Sequence, residues 1–219
     1  MVDLITGLRA EVVRRNLERV RAEIADAGRD PAEVEILAAI KYLPVTELAL
    51  LADGGVTVVG ENRAQELIAK QAVAGDRFSW DFIGQLQSRK VRDLVGRVRY
   101  IQSVASDSAL TQLERHGTAE TEVMIEVNVA GEHGKSGIAP SELTGFIERC
   151  PVNVVGLMTM PPRADDPERN RPYFAALRAL ADHHRLRHVS MGTSQDYVVA
   201  AAEGATIVRL GTSLYRATA

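Results

Sequence analysis

Eight short apolar runs alternating with longer amphipathic stretches predict an α/β fold, specifically a single (β/α)8 TIM barrel spanning residues 1–219. Three observations lead there. Residues 34–40 read VEILAAI, too uniformly apolar for a half-exposed hairpin strand and typical of one buried on both faces. The strand-and-helix unit then returns with no long interruption and no break in composition. Gly60, Gly84, Gly192 and Gly211 also fall at the ends of runs, where tight strand-to-loop turns are needed.

In chain order, residues 3–27 predict an opening helix, with Leu4, Leu8, Val12, Leu17, Val20 and Ile24 as its apolar stripe and Gly28 as its stop. The first strand, 34–40, leads through Pro44 into a helix that ends near residues 53–55. Strands are then predicted at 56–60, 78–84, 100–105 and 122–129, followed by helices to about 73, over 87–95, from Ser106 as cap to about Gly117, and over 141–150 with Ser141 as cap. The last strands are 153–160, 188–192 and 206–211, with helices over 171–183 and 195–203. Only residues 212–219 follow the eighth strand, so the N-terminal helix is expected to cover the eighth position of the outer ring.

Composition removes several classes of function. There are 26 basic and 29 acidic residues, a formal net charge of −3, and both signs are spread along the chain, so no basic face points to nucleic acid or an anionic membrane. The arginines at 14, 15, 19 and 21 are interleaved with Glu11, Glu18 and Glu23, as on a solvated helix face. A single cysteine, Cys150, precludes an internal disulfide or a cysteine cluster and suits a reducing cytosol. With no apolar segment of membrane-spanning length and a charged amphipathic N-terminus, a soluble cytoplasmic protein is expected.

Lys41 ends the first strand, at the barrel edge where loops carry chemistry. A lysine desolvated there would offer a neutral, nucleophilic amine, whereas one reaching into water would be a plain surface cation. The loops after strands seven and eight read MGTSQD and LGTS, placing Ser194, Gly211 and Thr212, with Thr193 and Ser213, where such barrels commonly bind phosphate. Arg209 interrupts the apolar run 206–210 and needs a partner or a ligand. A strand-end amine, an anion cradle and a buried cation together match the needs of pyridoxal 5′-phosphate (PLP). A PLP-free sugar-phosphate barrel with Lys41 as an aldolase-type lysine remains open on these residues. Other candidates rank lower: His116, His183 and His184 suit helix ends, Cys150 suits packing, and Tyr197 and Tyr215 suit packing better than phosphate orientation. The loop with Glu132, His133 and Lys135 lies at the ligand face and suits a turn better than a lid.

The segments AAIKYLP, VGENRAQE, WDFIGQLQSRKV, GKSG, GLMTMPP, SMGTSQDY and VRLGTSLYR, in this order over about residues 34–216, resemble the pyridoxal 5′-phosphate homeostasis protein family (YggS/PROSC), barrel-only relatives of the alanine racemase N-terminal domain. The resemblance implies a PLP fold-type III barrel with the cofactor as a Schiff base on Lys41. It implies that Ser194, Gly211 and Thr212 hold the phosphate, that Arg209 faces the pyridine nitrogen, and that Asn62, Ile83 and Met191 lie close to the ring. Family members often carry serine or threonine at the position of Ile40 and histidine at those of Asp81 and Gln85, where this chain departs. The implied function is PLP binding in vitamin B6 and amino-acid homeostasis without established catalysis, in a monomer that could pass PLP to apoenzymes. A weak or vestigial PLP-dependent racemase or lyase is the alternative. Racemisation needs a base on each face of the substrate carbon, and with only eight residues past Gly211 no domain supplying the second is expected. An arginine at the ring nitrogen also disfavours the pyridinium form and weakens the ring as an electron sink.

Overall fold

The computed structural model describes residues 4–216. Eight parallel strands close into a barrel in sequence order: β1 (Glu35–Ala39), β2 (Val58–Glu61), β3 (Ser79–Phe82), β4 (Tyr100–Val104), β5 (Glu122–Glu126), β6 (Asn153–Met158), β7 (His188–Thr193) and β8 (Ile207–Leu210). Closure is made by β8 on β1, with Leu37 opposite Arg209. The outer ring comprises α1 (Ala10–Asp26), α2 (Leu48–Asp53), α3 (Ala64–Ala74), α4 (Val91–Leu94), α5 (Asp107–His116), α6 (Leu143–Arg149), α7 (Arg171–His183), α8 (Tyr197–Ala202) and the short α9 (Thr212–Tyr215).

Several boundaries differ from the sequence expectation. The helix α1 begins at Ala10, Leu4 is exposed, and the expected start at Asp3 lies outside the described residues. Gly7, at φ 75°, turns the preceding segment so that the N–H groups of Gly7 and Leu8 donate to the Glu47 carboxylate, and this anchor replaces helical hydrogen bonds. Residues 88–90 form a 3-10 turn ahead of a one-turn α4. Ser106 caps α5 as expected, accepting from the Ala109 N–H. Ser141 does not cap α6: it lies inside a 3-10 turn after Pro140, and Glu142 takes the flanking position, its carboxylate accepting from the Ala139 N–H. β5 stops at Glu126, after which Val127 makes one bridge to Ile138.

The N-terminal helix does fill the eighth position, packing on α2, α8 and α9. Its buried Asn16 donates through Nδ2 to the carbonyls of Leu214 (3.0 Å) and Arg216 (2.9 Å), and Arg19 donates to the Ser213 carbonyl. These carbonyls at the end of a one-turn helix have few partners of their own, so a side-chain donor satisfies them and ties the segment after β8 to the barrel.

Strand alternation sorts the core into two layers. Residues such as Ala38, Val59, Trp80, Ile125, Val189 and Val208 face the helices, whereas Leu37, Val58, Met124, Met158 and Ile207 fill the lumen. A polar line runs through the lumen beside them. Glu35 accepts two hydrogen bonds from Arg99 (2.6 and 2.7 Å), which also donates twice to Asp81. Gln102 donates to Asp81 (2.6 Å) and accepts from Ser190 (2.6 Å), whose hydroxyl accepts in turn from Arg209 (2.6 Å). Every charged member thus has partners, as burial demands.

At the N-terminal mouth, His188 accepts from the Arg187 Nε–H at 2.8 Å and touches the Tyr100 hydroxyl. Burial first, then the neighbouring Arg187 and Arg99 guanidiniums, push its pKa down to about 4. The native protein therefore binds fewer protons than the unfolded chain between pH 6.5 and about 4, and stability falls as pH drops through that window. Because the ring is half exposed, the share is discounted to about 1–2 kcal/mol. Denaturant titrations should show this acid loss reduced by that amount in His188→Gln. Asn16→Ala should cost about 1–3 kcal/mol in the same measurement at neutral pH, by orphaning the carbonyls after β8.

Candidate cofactor-binding site

Lys41 stands two residues past β1, in step with the lumen-facing Leu37 and Ala39, on a tight turn closed by the Leu43 N–H to the Ile40 carbonyl (2.9 Å). It is exposed, its Nζ 4.8 Å from the Tyr42 ring centroid, so the desolvation considered from sequence is not present. What is built here is the support beneath it. The Ile40 carbonyl accepts from the buried Lys70 Nζ (2.8 Å), which also pairs with the buried Glu61 (2.6 Å). The other Glu61 oxygen accepts from the Asn62 N–H at 2.6 Å. One enclosed ion pair therefore joins the lysine turn to the end of β2 and orients Asn62. Lys70 reaches it because it lies on the inward side of α3 with Ala64, Leu67 and Ala74.

Asn62 has an unusual feature. Its Oδ1 is enclosed and has no hydrogen-bond partner. The β2 and β3 ends approach closely at this point, for a Cβ on Gly84 would come within 2.1 Å of the Asn62 carbonyl oxygen. A cavity of about 770 Å3 opens beside Lys41, lined by Tyr42, Pro44, Asn62, Arg63 and Glu66 among others.

On the strand next to β1, Arg209 projects from β8 into the lumen. It is buried, with one nitrogen donating to Ser190 and the other to the Thr159 carbonyl (2.8 Å) and the Met160 sulfur (2.9 Å). Burial lowers its pKa to about 10, with Glu126 and Asp196 acting in the opposite direction, so it remains a cation at neutral pH. The salt bridge to a carboxylate considered from sequence is not its solution: its direct partners are neutral. Ile83 is half-buried against the same lumen layer.

The loops after β7 and β8 are stitched together. Ser194 Oγ accepts from the Gly211 N–H (3.1 Å) and lies 2.9 Å from Ser213 Oγ, and Thr212 is exposed at the start of α9. A Cβ on Gly211 would meet nothing nearer than the Ala39 carbonyl oxygen at 3.7 Å, which leaves open room over this backbone. Gly192 has a different cause: its φ is 89°, and a Cβ would strike Ala200 at 2.6 Å, so it serves the seating of α8. Thr193 is committed to the Asp196 carboxylate through both N–H and hydroxyl.

Met191 does not join this group through its side chain. It alternates with the lumen-facing Ser190 and is buried in the layer between sheet and helices, so the ring contact implied for it is corrected. The phenols of Tyr215 and Tyr197 are also committed, one to the Ala39 carbonyl (3.0 Å) and the other to Glu23. In the loop after β5, Lys135 pairs with Glu132, which exchanges two hydrogen bonds with Asn128. Sequence reasoning missed Lys70, Ser190 and Gln102. For Lys70 a signal existed, since a lysine at the spacing of an inward helix stripe implies a buried partner.

The family described as alanine racemase, N-terminal domain, matches residues 9–219. The barrel of alanine racemase from Corynebacterium glutamicum superposes with a TM-score of 0.76 at 18% identity, covering 99% of this chain and 64% of that one, which shows the shared fold. A pyridoxal phosphate homeostasis protein of Aquifex aeolicus is 39% identical, covering 94% of this chain and 96% of its own. The structure of PipY from Synechococcus elongatus PCC7942 with PLP bound is 30% identical, with a TM-score of 0.79, covering 93% of this chain and all of that one. The protein is thus a fold-type III barrel of the alanine racemase N-terminal class. Within that class it belongs to the pyridoxal phosphate homeostasis protein family.

Removing one member of the Glu61–Lys70 pair leaves a buried charge without its partner. Lys70→Met should cost about 3–5 kcal/mol in equilibrium unfolding, and the added change Glu61→Gln should recover part of it.

Proposed function

We propose that the chain holds PLP on Lys41 at the C-terminal mouth of the barrel and acts in PLP homeostasis. The observation that carries this reading is the unpartnered Asn62 Oδ1, enclosed on a residue that lines the same cavity as Lys41. A buried acceptor without a donor is costly unless a ligand or water completes it. The open room over Gly211 fits an anion beside Ser194 and Thr212, and PLP-bound PipY has this fold at 30% identity.

When bound, PLP supplies an aldehyde that a lysine amine can capture and a ring that can accept electrons. In this chain Lys41 would hold the aldehyde end, and Ser194, Gly211 and Thr212 the phosphate. Arg209 would face the ring nitrogen, Ile83 would give the ring an apolar neighbour, and Asn62 would complete its polar contacts. A guanidinium fixed at the ring nitrogen keeps a proton off it, which limits the ring as an electron sink. The committed phenols of Tyr197 and Tyr215 leave neither free as a proton-transfer group. Both facts favour holding and delivering PLP over racemase or lyase chemistry. A monomeric, cytoplasmic protein that passes PLP to apoenzymes belongs to the same proposal; no helix among the described residues is long and apolar enough to cross a membrane.

The test is the visible absorption of the PLP-treated protein with borohydride fixation. Lys41→Ala should lose the fixed adduct altogether, and Asn62→Ala should weaken PLP retention about tenfold, equivalent to one buried hydrogen bond. A fixed adduct elsewhere than Lys41 would overturn the assignment. Turnover with D- and L-amino acids should be absent, and sustained turnover would favour the racemase or lyase alternative.

A further inference from the structure

We propose that the opposite, N-terminal mouth of the barrel is a second ligand site, for a small organic anion bearing a carboxylate or phosphate head. A cavity of about 530 Å3 opens there between the C-terminal half of α1 and the starts of β1, β2, β7 and β8. Its size lies in the range of small-molecule sites. None of the residues lining it lines the Lys41 cavity.

The charge of this cavity is one-sided once the existing pairs are counted. Its carboxylates are already engaged: Glu33 pairs with Arg29 at 3.1 Å, and both oxygens of Glu35 are held by Arg99. Its guanidiniums are not neutralised. Arg21 and Arg187 make no ion pair among the described residues, and Arg187 donates only to neutral groups, His188 and Tyr100. Because the Arg187 Nε can only donate, His188 Nε2 is an acceptor and the ring proton of the neutral imidazole sits on Nδ1. Leu17, Val34 and Val56 supply a buried apolar wall between the two arginines' elements. Two guanidiniums without an acidic partner among the described residues, over an apolar wall, recognise a carboxylate or phosphate carried on a short carbon skeleton.

The experiment is calorimetric titration of the full chain, with PLP added to occupy the other mouth, using succinate in one series and inorganic phosphate in another. Binding of either is expected, and which one binds tells the head group. Arg21→Gln and Arg187→Gln should each weaken it about tenfold, as loss of one charge-assisted hydrogen bond requires. Arg21→Lys should retain only part of it, since lysine keeps the charge and loses the fork, and Ser194→Ala should leave it unchanged. Should Arg187→Gln fail to fold, the exposed Arg21 carries the test alone. The proposal is overturned if neither anion binds at millimolar concentration, if the glutamine variants bind as the parent does, or if Ser194→Ala is the change that removes binding. The site does not depend on PLP binding at Lys41, so its failure leaves that reading untouched.

Discussion

A guanidinium enclosed in a barrel lumen is the constraint around which the interior is arranged. Desolvating Arg209 is costly unless its donors are satisfied, and β8 alone cannot satisfy them. The solution is spread around the barrel: Ser190 from β7 and the Thr159 carbonyl just past β6 accept its hydrogen bonds, and Gln102 from β4 fixes Ser190. Gln102 is itself fixed by Asp81 from β3, which Arg99 holds, and Arg99 is held in turn by Glu35 from β1. The amide of Gln102 has one workable orientation, nitrogen to the carboxylate and oxygen to the hydroxyl, so direction is set along the whole line. Departure from histidine at position 81 thus has a structural counterpart: a carboxylate there answers the Arg99 guanidinium and gives Gln102 its acceptor.

The lysine side of the mouth is held by a different device. Lys41 itself touches little, but the carbonyl before it is gripped by Lys70, and Lys70 by Glu61. Isoleucine at position 40 suits this arrangement, because its side chain packs in the sheet–helix layer while its backbone makes the polar contacts. Tyr215 fixes the Ala39 carbonyl from the other side, which links α9 and the Gly211 loop to the same strand end. The positions of amine, anion loop and buried cation are therefore set by backbone anchors, and the reactive side chain is left accessible.

Much of this was legible in the sequence because it rests on period and on chain order. The eight apolar runs alternating with helices led to a closed barrel, and the short remainder after Gly211 led to α1 covering the eighth position, as found. Lys41, Asn62, Ser194, Arg209, Gly211 and Thr212 fall at strand ends, where position in the barrel decides their location. Met191 was misplaced because a resemblance gives nearness along the chain, whereas strand alternation decides which face the side chain takes. Capping by Ser141 failed because Pro140 starts a 3-10 turn earlier than the helix. Gln102 was not found because its partners lie 21 and 88 residues away, and Lys70 because a buried polar residue announces a need without naming who meets it.

The contrast between the two sides of the mouth bears on what the site is suited to do. Catalysis by differential stabilisation demands donors fixed where charge develops, together with a proton acceptor placed at the reacting carbon. Here the most rigidly held donor is Arg209, committed to Ser190 and the Thr159 carbonyl, and in the proposed placement beside the ring nitrogen it would disfavour protonation there and so weaken the ring as an electron sink. The amine, by contrast, sits exposed on a turn, open to exchange with outside amines. Fixing the cofactor's far edge and leaving its reactive end accessible favours reversible capture and release, since attachment and detachment both need access to that end. The same geometry works against retaining an amino-acid substrate through a multistep conversion, because such a substrate would remain open to water throughout.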